Sequence, residues 1–231
     1  MSDFPKYRLN ITRELKSPNY YTLALDGEFR ESAFNEERAP LNKGKWRSEI
    51  FKVDKNTPMD LEIGTGNGTH FKHHALKHPQ RCLVGLEIKY KPLIQTIRRT
   101  LKDGAINAAV ARFHAFGVEQ IFDSAEINDV FIHFPDPWTS PRKPKNRVVQ
   151  QRNLDLLWDL QRSGSKLDFK TDSLEAFNWG EEEIKKSKYK VEYITRDLHN
   201  SDLASENYET AFEKIFLKQG FKINFVRLRK P

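Results

Sequence analysis

The stretch Leu61-Glu62-Ile63-Gly64-Thr65-Gly66-Asn67-Gly68 places an acidic residue ahead of three glycines at alternate positions. Glycine tolerates positive φ and lets backbone approach a ligand with no Cβ in the way. A dinucleotide fingerprint needs a third glycine at the sixth position of the loop, which here is Thr69, and no Gly-Lys-Ser/Thr follows to make a phosphate loop. A carboxylate ahead of the glycines is a poor neighbour for a pyrophosphate and a good one for a cation. Glu87 closes the next apolar run, where a carboxylate can accept both hydroxyls of a ribose. A ligand with an adenosine ribose and a positive charge near Glu62 is S-adenosylmethionine. Glu62, Gly64, Gly66, Gly68 and Glu87 are the candidate residues for binding it.

The second constellation is Phe134-Pro135-Asp136-Pro137-Trp138. Two prolines fix φ and remove two donors, so the segment continues neither a helix nor a strand ladder. Asp136 is thereby held at a strand end. There it can contact the donor edge of a heterocycle, with Trp138 supporting the turn or stacking. Arg142, Lys143, Lys145 and Arg147 follow at once, a cationic cluster suited to the phosphates of a nucleic acid.

Apolar runs at 59–63, 82–88, 108–114, 129–134 and 166–170 predict strands, and amphipathic stretches between them predict helices. A helix over 206–218 separates terminal strands at 191–195 and 221–228. Alternation of this kind implies an α/β, doubly wound, mostly parallel sheet with ligands at the carboxyl ends of its strands. Residues 1–56 lack sustained apolar periodicity and are rich in Lys, Arg, Asn and Pro. They are expected to form a basic N-terminal extension ahead of a catalytic domain at 57–231.

Together these segments resemble the tRNA (guanine-N7)-methyltransferase family, whose members modify a variable-loop guanosine of tRNA. The match runs from Leu61 to Phe216 and includes Gly85-Leu86-Glu87, Phe169-Lys170-Thr171-Asp172 and Thr210-Ala211-Phe212-Glu213-Lys214-Ile215-Phe216. The Pro-Asp-Pro-Trp turn followed by Lys-Thr-Asp and Thr-x-Phe-Glu is the specific part. The resemblance implies a Rossmann-like class I methyltransferase sheet with an antiparallel terminal strand. It implies that Asp136 serves catalysis as well as the cofactor, and that Ser140, Asp172, Thr210 and Glu213 bind the target guanosine. Asp172 reads equally well as the N-cap of the helix after its strand, and Thr210 with Glu213 as a helix-surface pair. Two positions depart from the family. Ser140 stands where a Lys is usual, and Phe116 lies where an Asp near the adenine is usual and can pack on the purine instead.

Guanine N7 carries an accessible lone pair, so its methylation needs no base. The product ring is cationic, and its N1 and N2 hydrogens become stronger donors. Carboxylates of Asp136, Asp172 and Glu213 at that edge would therefore favour the transition state over the ground state. N7 is inaccessible in the deep groove of an A-form helix, which points to a loop or a splayed base. The rival readings are an RNA-binding protein on the same fold without catalysis, and a methyltransferase acting on a small molecule or protein.

The 231 residues carry 39 Lys and Arg against 32 Asp and Glu, a net charge of +7 that fits a polyanionic partner such as tRNA. One cysteine excludes a disulfide framework and a Cys-rich zinc site, and no metal is expected. No apolar run suits a membrane span or a signal peptide, so a cytoplasmic protein is expected. An accessory subunit is not evident, and a monomer or homodimer is expected.

Overall fold

The computed structural model describes residues 9–140 and 144–231. The strands are β1 (Ala33–Phe34), β2 (Met59–Ile63), β3 (Cys82–Leu86), β4 (Ala108–Ala111), β5 (Val130–His133), β6 (Lys166–Thr171), β7 (Lys190–Thr195) and β8 (Asn224–Arg229). The α-helices are α1 (Tyr20–Asp26), α2 (Thr69–Lys77), α3 (Tyr90–Lys102), α4 (Gln151–Leu160), α5 (Leu174–Lys185) and α6 (Ala211–Lys218). Strand order is β1-β4-β3-β2-β5-β6-β8-β7. The pairs β1–β4, β3–β4, β2–β5 and β5–β6 are parallel, while β8 is antiparallel to both β6 and β7. This is the mostly parallel sheet with an antiparallel terminal strand that the sequence predicts. Strands β2, β3 and β4 are buried at every residue, which is why they read as continuous apolar runs rather than alternating ones. Among the described residues no helix is long and apolar enough to cross a membrane.

The chain divides into two compact units, each with its own core. One comprises the described residues up to Met59 together with Thr65–Asp123, the other Asp60–Gly64 and the described part of Ser124–Pro231. In the first unit, Leu93, Ile94 and Ile97 on one stripe of α3 are fully buried with Phe71 of α2, Leu83 of β3 and Leu25 of α1. The N-terminal segment has more structure than its composition suggests. It supplies α1, strand β1, and a π-helical turn at Trp46–Phe51 whose fully buried indole donates to the carbonyl of Ile121 at 2.7 Å. These elements are two to seven residues long, too short for periodicity to register over windows of roughly 11–18 residues.

In the second unit, Leu198, Ile223 and Phe225 form a core against which Phe134, Tyr193, Phe216 and Leu217 pack. Helix α6 begins at Ala211, later than the 206 that the sequence suggests, because Asn207 and Tyr208 lie in a turn that takes up the side chain of Lys170.

Candidate active site

Three acidic positions of the second unit lie in or just beyond neighbouring parallel strands. Glu62 lies in β2, buried, beside Phe131 of β5, and β5 in turn pairs with β6, with His133 beside Lys170. The Pro-Asp-Pro-Trp turn leaves the end of β5, and Asp172 leaves the end of β6. In an open parallel sheet this end, where the strand order reverses, is where ligands bind. The reversal here falls at β2 and β5.

The turn is held against its own backbone preference. Phe134 and Trp138, on either side of Pro135-Asp136-Pro137, sit in the left-handed region at φ +49° and +44°, which costs a side-chain-bearing residue about 1 kcal/mol or more. Two anchors sustain it. The Phe134 amide donates to the carbonyl of Lys170 at 2.8 Å, and the Phe134 ring packs on Phe216 with centroids 5.6 Å apart. At the far side Arg147 donates to the carbonyls of Pro137 (2.8 Å) and Trp138 (3.2 Å) and to the Glu175 carboxylate (2.6 Å), and lies 5.1 Å over the Trp179 ring. Asp136 is left exposed between these anchors, and so is Ser140. Among the basic residues expected at phosphates, Lys145 is exposed and Arg147 is buried, with the turn as its partner. Arg142 and Lys143 lie outside the described residues.

After β6 the cap of α5 is Ser173, whose hydroxyl accepts from the Ala176 amide at 3.2 Å. The capping alternative for Asp172 is thereby corrected, since the residue one step later performs that role. Asp172 is half-buried, and that burial raises its pKa against the opposing effect of a backbone hydrogen bond. Thr210 and Glu213 form a capping box at the start of α6, with the threonine hydroxyl accepting from the Glu213 amide at 3.1 Å and the carboxylate accepting from the Thr210 amide at 3.2 Å. This is not a surface pair, because Thr210 is buried and Glu213 is completely so. Glu213 also accepts from Lys170 Nζ at 2.7 Å and Asn207 Nδ2 at 2.7 Å, and its Oε1 lies 2.9 Å from His199 Nε2. Burial pushes its pKa up, but the Lys170 ammonium and these hydrogen bonds bring it below the ordinary value.

Sequence reasoning met Lys170 only as the first residue of Lys-Thr-Asp and gave it no role, and it missed Asn207, His199 and the anchoring role of Arg147. In the sequence Lys170 stands, with Asp168, as a charged residue inside a strand that is buried from Leu167 to Thr171.

In the glycine loop, Gly64, Gly66 and Gly68 all have positive φ, at +79°, +54° and +76°. A Cβ on Gly68 would meet Thr96 of α3 at 2.6–2.9 Å, whereas one on Gly64 would meet nothing within 4 Å. Gly68 thus serves close packing, whereas the space beside Gly64 is open. Within the first unit, the Gly66 amide donates to Glu87 Oε2 at 3.3 Å and the Lys89 amide to Glu87 Oε1 at 2.9 Å, so the carboxylate is fixed beside the loop. Burial pushes the Glu87 pKa up, opposed by those amides and the Lys89 charge. Phe116 lies half-buried in a 3₁₀ turn, its amide donating to His114 Nδ1 at 3.2 Å and its ring 4.9 Å from the imidazole. A carboxylate fixed by backbone amides beside the glycine loop, at the next strand end, fits S-adenosylmethionine.

Residues 56–226 match the family described as "Putative methyltransferase". A tRNA (guanine-N(7)-)-methyltransferase of Bdellovibrio bacteriovorus is 61% identical over 208 residues, which cover 90% of this chain and all of the relative. One from Clostridium botulinum is 32% identical over 85% of this chain and 91% of its own length. Among solved structures, the 16S rRNA methyltransferase KamB superposes with a TM-score of 0.57 over 77% of this chain and 90% of that one, at 16% identity, a likeness of fold.

Proposed function

Because the chain belongs to the tRNA (guanine-N7)-methyltransferase family, we propose that it methylates N7 of a variable-loop guanosine in tRNA. It is an S-adenosylmethionine-dependent methyltransferase. The single observation that carries the assignment of its site is that Glu62, Asp136 and Asp172 lie in or just beyond three neighbouring parallel strands at the switch of strand order.

S-adenosylmethionine supplies a methyl group on a positively charged sulfur. Glu62 offers its carboxylate to that end of the cofactor, Glu87 accepts from the ribose hydroxyls, Gly64 and Gly66 give the backbone its close approach, and Gly68 holds the loop against Thr96. Asp136 and Asp172 face the guanine and accept from its N1 and N2 hydrogens, an interaction that strengthens as the ring gains positive charge. No protein base is required, so the rate comes from alignment of N7 with the methyl group and from these carboxylates. Thr210 and Ser140 complete the guanosine contacts, and Arg142, Lys143 and Lys145 take phosphates. The basic segment 1–56 reaches tRNA, and the enzyme works in the cytoplasm, where its substrate is.

The test is Asp136→Ala. Because Asp136 is exposed, its removal leaves thermal unfolding unchanged while turnover falls by about 100-fold or more. Near-normal methylation by the folded variant would contradict the assignment.

A further inference from the structure

Lys170 is a lysine with almost no access to water, its side chain only 3% exposed. An ammonium has three N–H donors, and here three acceptors meet it: Glu213 Oε2 at 2.7 Å, Asn207 Oδ1 at 2.9 Å and the Tyr208 carbonyl at 3.2 Å. All three belong to the stretch that leads into and opens α6 and carries Thr210. The same nitrogen lies 5.7 Å from the centroid of the Phe134 ring, within cation–π range, and the Lys170 carbonyl holds the Phe134 amide. Lys170 also sits two residues before Asp172. One side chain therefore joins the origin of the Pro-Asp-Pro-Trp turn, the end of β6 and the start of α6.

Stability alone does not account for this arrangement. Taking two charges out of water costs several kcal/mol per ion, and apolar pairs of similar volume often do as well or better. The Lys170–Glu213 pair is buried on both sides, at 3% and 0%. Desolvation lowers the Lys170 pKa, with Glu213, Asp168 and Glu62 opposing that shift. What an ion pair with five further polar contacts supplies, and an apolar pair does not, is a fixed orientation.

We propose that Lys170 is a positioning residue for the target guanosine, setting Thr210 and Asp172 in register with the turn that carries Asp136, and that Glu213 acts through Lys170 rather than by touching the base. This rests on the functional reading above.

The experiment compares unaltered protein with Lys170→Met/Glu213→Leu and with Asn207→Ala, measuring thermal unfolding, calorimetric S-adenosylmethionine affinity, and kcat and KM for unmodified tRNA. The double variant leaves no buried charge unpaired, so it is expected to fold and to bind the cofactor within about threefold of the parent, while kcat/KM for tRNA falls by about tenfold or more. Asn207→Ala keeps the ion pair and removes one contact to each partner. It is expected to raise KM for tRNA several-fold, leaving cofactor affinity unchanged. A merely structural role would shift unfolding without separating tRNA from cofactor parameters. Unchanged tRNA kinetics in Asn207→Ala, or in a folded double variant, would overturn the proposal. Absence of transfer by the unaltered protein would instead overturn the functional reading, and it is visible before any substitution is made.

Discussion

At the residue scale, the acidic side chains are distinguished by their surroundings rather than by their type. Glu213 is fully buried beside a cation, Glu87 is fixed by backbone amides next to the glycine loop, and Asp136 is exposed. Glu87 has a pH signature. To accept two ribose hydroxyls it must be ionised, and burial holds its pKa above the usual carboxylate value. Cofactor affinity is therefore expected to be full above that raised pKa and to fall as the pH drops through it, in a range where an ordinary carboxylate would still be charged. Calorimetric titrations across a pH series check this. Glu87→Gln should bind about tenfold or more weakly, with no pH dependence in that range. The linkage to folding runs the opposite way, since a carboxylate whose pKa burial raises costs stability when ionised and that cost is relieved as it takes up its proton.

At the element scale, the glycine loop separates packing from ligand access. Alanine at either Gly64 or Gly68 would incur the left-handed penalty of about 1 kcal/mol. At Gly68 the new methyl would also strike Thr96, so Gly68→Ala is expected to lose about 1–3 kcal/mol more in thermal unfolding. Gly64→Ala meets open space, and its cost should appear chiefly as weaker cofactor binding. Equal unfolding of the two variants would contradict this division.

The strands and the loop were legible because each is a contiguous pattern: an apolar run, a stop, and an acidic residue next to it. Lys170 and Arg147 were not, because their meaning comes from partners distant in sequence. Lys170 meets Glu213 across 43 positions, and Arg147 meets Glu175 across 28. Likewise, a cap one residue beyond Asp172, and a capping box buried rather than on the surface, depend on where the chain turns, which local composition does not encode. Pro-Asp-Pro-Trp was recognisable as a turn, but not that Phe134 before it and Trp138 within it would sit at positive φ, the latter under the hold of Arg147.

At the scale of the whole molecule, a net charge of +7 suits a polyanion, and phosphate contacts make binding fall steeply with salt. Lys16 and Lys45, both exposed in the N-terminal segment, are the natural probes of its proposed contact with tRNA. Lys16→Glu combined with Lys45→Glu is expected to weaken tRNA binding and to flatten the slope of log affinity against log salt by about 1–2, with cofactor affinity unchanged. An unaltered slope would remove the N-terminal segment from the interface.

The account stands most directly on where the methyl group goes. Purified protein incubated with labelled S-adenosylmethionine and unmodified tRNA, followed by borohydride reduction and aniline cleavage, reports N7-methylguanosine by strand scission. The expected result is one methyl group per tRNA and a single cut at a variable-loop guanosine. Label without scission, scission elsewhere, or transfer to protein or small molecules but not to tRNA would contradict it.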